Sequence, residues 1–148
     1  MTTTPAATTA KIVVPIDGSE NALRALQVAA ARSRLTGAQL HLINVQPPIT
    51  SGNVRMFISK EMISQYHQEE GEKALASARQ TLSAAQMPFT AVVRVGHPFQ
   101  MIADYAEPAN GDEIVMGTRG MTSVGNLVLG SVATQVIHAA RVPVTVVK

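Results

Sequence analysis

Lys11-Ile-Val-Val-Pro-Ile-Asp17 is a short, nearly unbroken apolar run rich in β-branched residues, and Gly18-Ser19 follows at once. A strand that is polar on neither face is buried on both, which is the position of an inner strand in a parallel sheet. The Asp-Gly-Ser break ends the strand. Ser19 suits the N-cap of a helix, because its hydroxyl can accept a hydrogen bond from a first-turn amide. That helix is expected to run to about Thr36, with Leu23, Leu26 and Ala30 on one face and Gly37 as its stop.

The same strand-then-helix pattern repeats outward from this start. A second strand is expected at Gln39–Val45, a loop at Pro47–Arg55, and a long helix from Ser59 to about Ala85 that carries Met62, Tyr66, Leu75, Ala78 and Leu82 at helical spacing until Pro88 interrupts it. Phe89–Val95 alternates loosely as a third strand. Gly96-His97-Pro98 then opens a helix presenting Phe99, Ile102, Ala103 and Ala106, with Pro98 suited to its first turn. Glu113–Gly117 is a fourth strand, Thr118–Leu129 a glycine-containing connection, Ser131–Ala140 a further helix, and Val142–Val147 a fifth strand. Strands alternating with helices imply right-handed crossovers that place helices on both faces of one sheet. The expected fold is therefore α/β: a single doubly wound, Rossmann-like, five-stranded parallel sheet in the order 3-2-1-4-5. Residues 1–10 are expected to form a disordered tail and 11–148 one domain, with no internal repeat.

Composition narrows the chemistry. A chain of 148 residues is long enough to bury roughly 70% of the surface it would expose unfolded. It has no cysteine, so thiol nucleophiles, disulfides and iron–sulfur clusters are excluded. Residues 1–10 lack the basic and apolar regions of a secretory signal, and no run approaches the roughly 20 apolar residues of a membrane span. The protein is expected to be soluble and cytoplasmic. The net charge is +2, but the twelve Lys and Arg are dispersed, and with two Tyr, three Phe and no Trp a base-stacking platform is hard to build. Nucleic acid is not an expected partner.

In open α/β sheets ligands sit at the carboxyl ends of the strands, where the strand order reverses. The ends of the first and fourth strands hold the unusual residues: Asp17-Gly18-Ser19, and Met116-Gly117-Thr118-Arg119-Gly120 continuing to Gly130-Ser131-Val132. Glycines three apart let backbone amides approach a ligand and form an anion-binding nest. Gly130-Ser131 opens a helix, whose free amides and positive dipole end favour phosphate. Asp17 is either a hydrogen-bond acceptor for a ribose or base, or an ordinary turn residue. Arg119 is either a phosphate ligand or a solvated loop residue.

Gly117-x2-Gly120-x9-Gly130-Ser131, directly after an Ile-Val-Met strand, resembles the ATP-binding signature of the universal stress protein family. Asp17 before a Ser-capped helix, Val45 closing the second strand, the Val95-Gly96-His97-Pro98 turn and the Val142-Pro143-Val-Thr-Val-Val strand are similar to that family as well. Residues 1–10 and the loop near 46–58 fall outside the resemblance. It implies that Pro15, Asp17 and Val45 surround adenine and ribose, with Met116 and Gly117 at the fourth strand's end. Gly120, Gly130, Ser131 and Val132 would hold the phosphates of ATP, related adenine nucleotides staying open because glycine-rich backbone sites count phosphates loosely; Mg2+ bridging the ATP phosphates is a further expectation. It further implies a homodimer through antiparallel pairing of the Val142–Val147 edge strand, which Pro143 marks as an edge. Assembly beyond a dimer is left open.

Several enzyme classes lack their signatures. There is no Gly-x4-Gly-Lys-Ser/Thr, no Gly-x-Gly-x-x-Gly after the first strand, and no Ser-Gly-Gly-x-Asp-Ser of adenylating pyrophosphatases. His41, His67, His97 and His138 share no short metal-ligand spacing, and Ser19 has no evident His–Asp partner. The expected function is a regulatory module of the stress response: ATP stabilises one dimer form or surface that a protein partner reads. The alternatives are a slow ATPase or phosphotransferase, with Asp17 or a metal-bound water acting, and a nucleotide-free dimerisation protein. A bulky residue at Gly117 or Gly130 is expected to occupy the ligand's space and leave the fold largely intact.

Overall fold

The computed structural model of the protein describes residues 10–119 and 129–148. Five strands, β1 (Lys11–Pro15), β2 (Gln39–Gln46), β3 (Phe89–Val95), β4 (Glu113–Gly117) and β5 (Val144–Val147), form one sheet in the order β3-β2-β1-β4-β5. Every neighbouring pair is parallel. The helices are α1 (Glu20–Thr36), α2 (Gly52–Phe57), α3 (Lys60–Ala84), α4 (Pro98–Tyr105) and α5 (Ser131–Ala139). The expected fold class and strand order are those observed.

Burial along β1 explains why it stands at the centre. Ile12 and Val14, with Ile16 just beyond the strand, point into one core shared with Ala25, Leu26 and Ala29 of α1 and Leu75, Ala78 and Leu82 of α3. Val13 points the other way, into a second core with Ile102 of α4, Ala133 and Val136 of α5, and Ile43, Ile114 and Met116 of the sheet. A strand whose inner positions, Ile12, Val13 and Val14, are apolar in succession must be covered on both faces, and these two helical layers cover it. Ser19 caps α1 by accepting from the Ala22 amide at 3.1 Å. Gly37 closes the helix in the left-handed region, at φ 78°, where a side chain would be strained.

Several boundaries and faces differ from the expectation. The segment read as a loop through Arg55 becomes helical at Gly52, forming α2, in which no residue is buried. Met62 and Tyr66, expected on the inner face of α3, are 59% and 51% exposed. The buried stripe of α3 is instead His67, Gly71, Leu75, Ala78 and Leu82. The reason is length: 25 residues of helix run roughly 37 Å, whereas the eight-residue β2 spans roughly 26 Å. The first turns of α3 thus overhang the sheet. Gly71 lets α3 lie close to β3, since a Cβ there would collide with both methyl groups of Val93. The fifth strand begins at Val144, two residues later than expected, although the Pro143 carbonyl already accepts from the Ile114 amide at 2.9 Å.

The end of the sheet opposite the strand termini is tied by Asp112. Its buried carboxylate meets Lys11 Nζ at 2.6 Å, the Lys11 amide at 2.7 Å and the Glu107 amide at 2.8 Å. Burial alone would push this carboxyl up, but the hydrogen bonds from the Lys11 ammonium and the two amides outweigh it and hold the group below its usual range. His41 receives or donates a 2.7 Å hydrogen bond with the Tyr105 hydroxyl. Burial, then the neighbouring Lys11 charge, holds its imidazole below the ordinary value against the pull of Asp112.

Both shifts favour the folded state at neutral pH. The unfolded chain binds a proton at His41 more readily than the native protein does, so His41 contributes stability above about pH 6.5 that is lost as pH falls below it. Asp112 contributes stability above about pH 4 that is lost as pH falls through its depressed folded value. Urea unfolding between pH 7 and pH 3 is expected to show a decline in both windows. His41→Gln should remove the upper decline and Asp112→Asn the lower; unchanged pH profiles in these variants would contradict the assignment.

Candidate functional site

The chain leaves β1 toward β2 on one side and returns through β4 on the other, so the connections diverge above the end of β1 and leave a crevice there. On the β1 side, the Ile16 amide still pairs with the Ile43 carbonyl at 2.9 Å. The chain then turns sharply: Asp17 Oδ1 accepts from the Ser19 amide at 3.0 Å, and Gly18 adopts φ 87°. Asp17 therefore performs the ordinary turn role and also faces the crevice.

On the β4 side the backbone is held by a side chain that the sequence did not single out. Asn21, 6% exposed, accepts from the Arg119 amide at 2.8 Å through Oδ1 and donates to the Val147 carbonyl at 3.0 Å through Nδ2. Val147 also accepts from the Thr118 amide at 2.9 Å. The Gly130 amide in turn donates to the Thr118 carbonyl, which brings the two ends of the 118–130 connection together. Gly130 is the N-cap of α5 and supplies no side-chain acceptor. Thr134 returns both its amide and its hydroxyl to the Gly130 carbonyl, at 3.0 and 2.9 Å. The first-turn amides of Ser131, Val132 and Ala133 have no intrahelical acceptor, as in any helix start.

These pieces enclose a cavity of about 380 Å³, within the size range of small-molecule sites. Pro15, Asp17 and Val45 line it from the β1 and β2 side, Met116, Gly117 and Arg119 from the β4 exit, and Gly130, Ser131 and Val132 from the start of α5. Nine of the ten residues singled out in the sequence thus come together; Gly120 lies outside the described residues. Ile16, Ile43 and Ile102 add an apolar wall. The cavity therefore mixes apolar side chains with the Asp17 carboxylate and the Asn44 carboxamide on the β1 and β2 side, and has Arg119 and the first-turn amides of α5 at its other side.

Two further polar residues belong to the same mouth. Asn44, 4% exposed, lines the cavity and donates through Nδ2 to the Ile16 carbonyl at 2.8 Å, while its Oδ1 accepts from Gln46 Nε2 at 2.8 Å. Thr118, also 4% exposed, lines it beside Gly117. The signal for Asn44 was a lone amide inside the apolar run Leu42-Ile-Asn-Val45. For Asn21 no pattern was available, since its two partners lie 98 and 126 residues away.

The glycine at 117 serves this packing. A Cβ built there would fall on the Asn21 carboxamide, with its oxygen the nearest atom and its Cγ at 2.7 Å. At Gly130 a Cβ would lie 3.1 Å from the Thr118 carbonyl oxygen. At Gly117 the first atom of a side chain therefore falls on the Asn21 carboxamide, so a substitution there disturbs packing as well as the cavity, whereas at Gly130 the Thr118 carbonyl would have to give by only a few tenths of an ångström.

Fold and cavity together define a doubly wound α/β protein with a cavity at the strand-order reversal. The chain belongs to the universal stress protein family, whose model matches residues 8–148. It is 35% identical over 138 residues to the universal stress protein MJ0531 of Methanocaldococcus jannaschii, covering 93% of this chain and 81% of that one. It is 32% identical over 137 residues to a universal stress protein of Thermus aquaticus, covering 93% and 97%. Among solved structures, a universal stress protein of Archaeoglobus fulgidus in complex with dAMP superposes with a TM-score of 0.70 at 26% identity, covering 95% of this chain and 99% of that one. The hypothetical protein MJ0577, also of M. jannaschii, superposes with a TM-score of 0.78 at 29% identity, covering 95% and 96%.

Gly117→Ala is expected to lower unfolding stability by about 1–3 kcal/mol, the usual cost of forcing an atom into a packed site. Equilibrium denaturation measures it, and a variant as stable as the wild type would show that Asn21 can step aside.

Proposed function

We propose that the cavity binds ATP and that the nucleotide-bound form is what a partner protein recognises, the chain acting as a cytoplasmic regulatory module. The observation that carries this reading is that the described residues the family resemblance singles out line one cavity, with the helix start of α5 at one side of it. The dAMP complex of the A. fulgidus relative supports an adenine nucleotide as the ligand class. Charge sets the orientation. Asp17 would repel phosphate, so base and ribose belong beside Pro15, Asp17 and Val45. The phosphates belong where Ser131, Val132 and Arg119 meet, beside the Gly130 N-cap of α5. An anion at such a helix start gains about 0.3–1 kcal/mol from the dipole before hydrogen bonds are counted. Among the described residues no three His, Asp or Glu side chains converge, so an accompanying Mg2+ would be held chiefly by the phosphates themselves.

Regulation then follows from differential binding: ATP shifts the population toward the form it binds better. Homodimerisation through β5 fits this scheme. β5 is an edge strand, Val146 is 38% exposed, and an unpaired apolar edge is a template for a second strand.

Calorimetry on protein stripped of nucleotide is the direct test. ATP is expected to bind once per chain without turnover, and Val45→Trp, which fills the base side while leaving Gly117 and Asn21 untouched, should weaken it at least ~10-fold, the loss of about 1.4 kcal/mol. Absence of both heat and a thermal shift with ATP would overturn the proposal. For the dimer, sedimentation should show Val146→Lys to be monomeric where the wild type is dimeric, since a charged edge resists strand pairing.

A further inference from the structure

We propose that Asn21 is a positioning residue for the phosphate end of the cavity, one that makes this end depend on the C-terminal strand; the inference rests on the reading of the cavity as a nucleotide site. Asn21 is the second residue of α1 and buried, where an Asn side chain competes with the helix backbone and is a poor choice for helix formation alone. What it does there requires a group that donates and accepts at once. Oδ1 takes the Arg119 amide and Nδ2 reaches the Val147 carbonyl. A carboxylate could not donate, and a hydrocarbon could do neither. The carboxamide occupies the space that Gly117 leaves by lacking a Cβ. One glycine and one carboxamide, far apart in sequence, thus form one fitted joint.

The joint has a direction. It fixes the Thr118–Arg119 backbone against the end of β5, and the Thr118 carbonyl in turn receives the Gly130 amide at the start of α5. Both the exit of β4 and the opening of α5 are therefore referenced to Asn21. The opposite side of the cavity is not: Ile43 and Val45 are set by the pairing of β2 with β1 and β3, and Asn44 holds Ile16. Loss of the Asn21 carboxamide leaves the Arg119 amide and one bond to Val147 unmade at the phosphate end, while the base end keeps all its supports. The expected signature is selective, with ATP affinity falling and adenosine affinity holding.

Calorimetry with ATP and with adenosine on the full chain, wild type and Asn21→Ala, reads this split, with Asn21→Ser as a second variant that restores a smaller polar group. ATP affinity is expected to fall roughly tenfold in Asn21→Ala, on the order of one well-placed hydrogen bond's effect, with adenosine affinity within about twofold of wild type. Equal losses for both ligands, or no loss for either, would overturn the positioning role while leaving the nucleotide reading intact. Absence of ATP binding by the wild type would overturn both. If neither variant folds, hydrogen exchange in the wild type decides: the Arg119 amide should be protected more strongly by ATP than by adenosine, and equal protection would overturn the assignment.

Discussion

The pairing of β1 with β2 on one side and with β4 on the other governs the molecule. Because both pairings are parallel, each needs a crossover, and because the chain proceeds first one way and then the other, the crossovers part above the end of β1. The divergence opens the cavity without any residue having to line a pore or bend a strand. It also demands that the middle of β1, Ile12 to Val14, be apolar on both faces. Ile12 and Val14 face the α1 and α3 layer and Val13 the other, all at 1% exposure or less.

A crevice at strand ends creates a second constraint. Where strands stop pairing, backbone amides and carbonyls lose their ladder partners in a place shielded from water, and each unmet group is costly. Here two buried asparagines meet that demand, Asn44 at the Ile16 carbonyl and Asn21 between Arg119 and Val147. Carboxamides suit the task because they supply donor and acceptor without charge, so they leave the electrostatics of the cavity to Asp17, Arg119 and the start of α5.

How much of this was legible follows from which interactions are local. The strands and helices could be read because their signals are short-range: the apolar run of β1, Ser19 before α1, Gly37 after it, Pro98 at the start of α4. The gathering of Pro15, Asp17, Val45, Met116, Gly117, Arg119, Gly130, Ser131 and Val132 around one cavity was legible too, since topology alone brings those strand ends together. Met62 and Tyr66 were misplaced because periodicity gives a face but not how far the sheet beneath it extends. The helix at Gly52–Phe57 was missed because it buries nothing and so has no apolar stripe to betray it. Asn21 could not be found from spacing, its role existing only once β4 and β5 lie side by side.

The two helical layers are unequal. One side of the sheet carries α1 and α3, 17 and 25 residues long, and the other carries α4 and α5, 8 and 9 residues long. Of the buried residues that line the cavity, Ile43, Ile102, Met116 and Ala133 belong to the core of the lighter layer, and Ile16 and Ala22 to the heavier one. Local opening is least costly where the fewest apolar contacts must be broken. The longer helices thus anchor one face of the sheet, and the shorter ones cover the other. A ligand seated between α5 and the strand ends would thus rest against the thinner of the two layers, the one with the shorter helices.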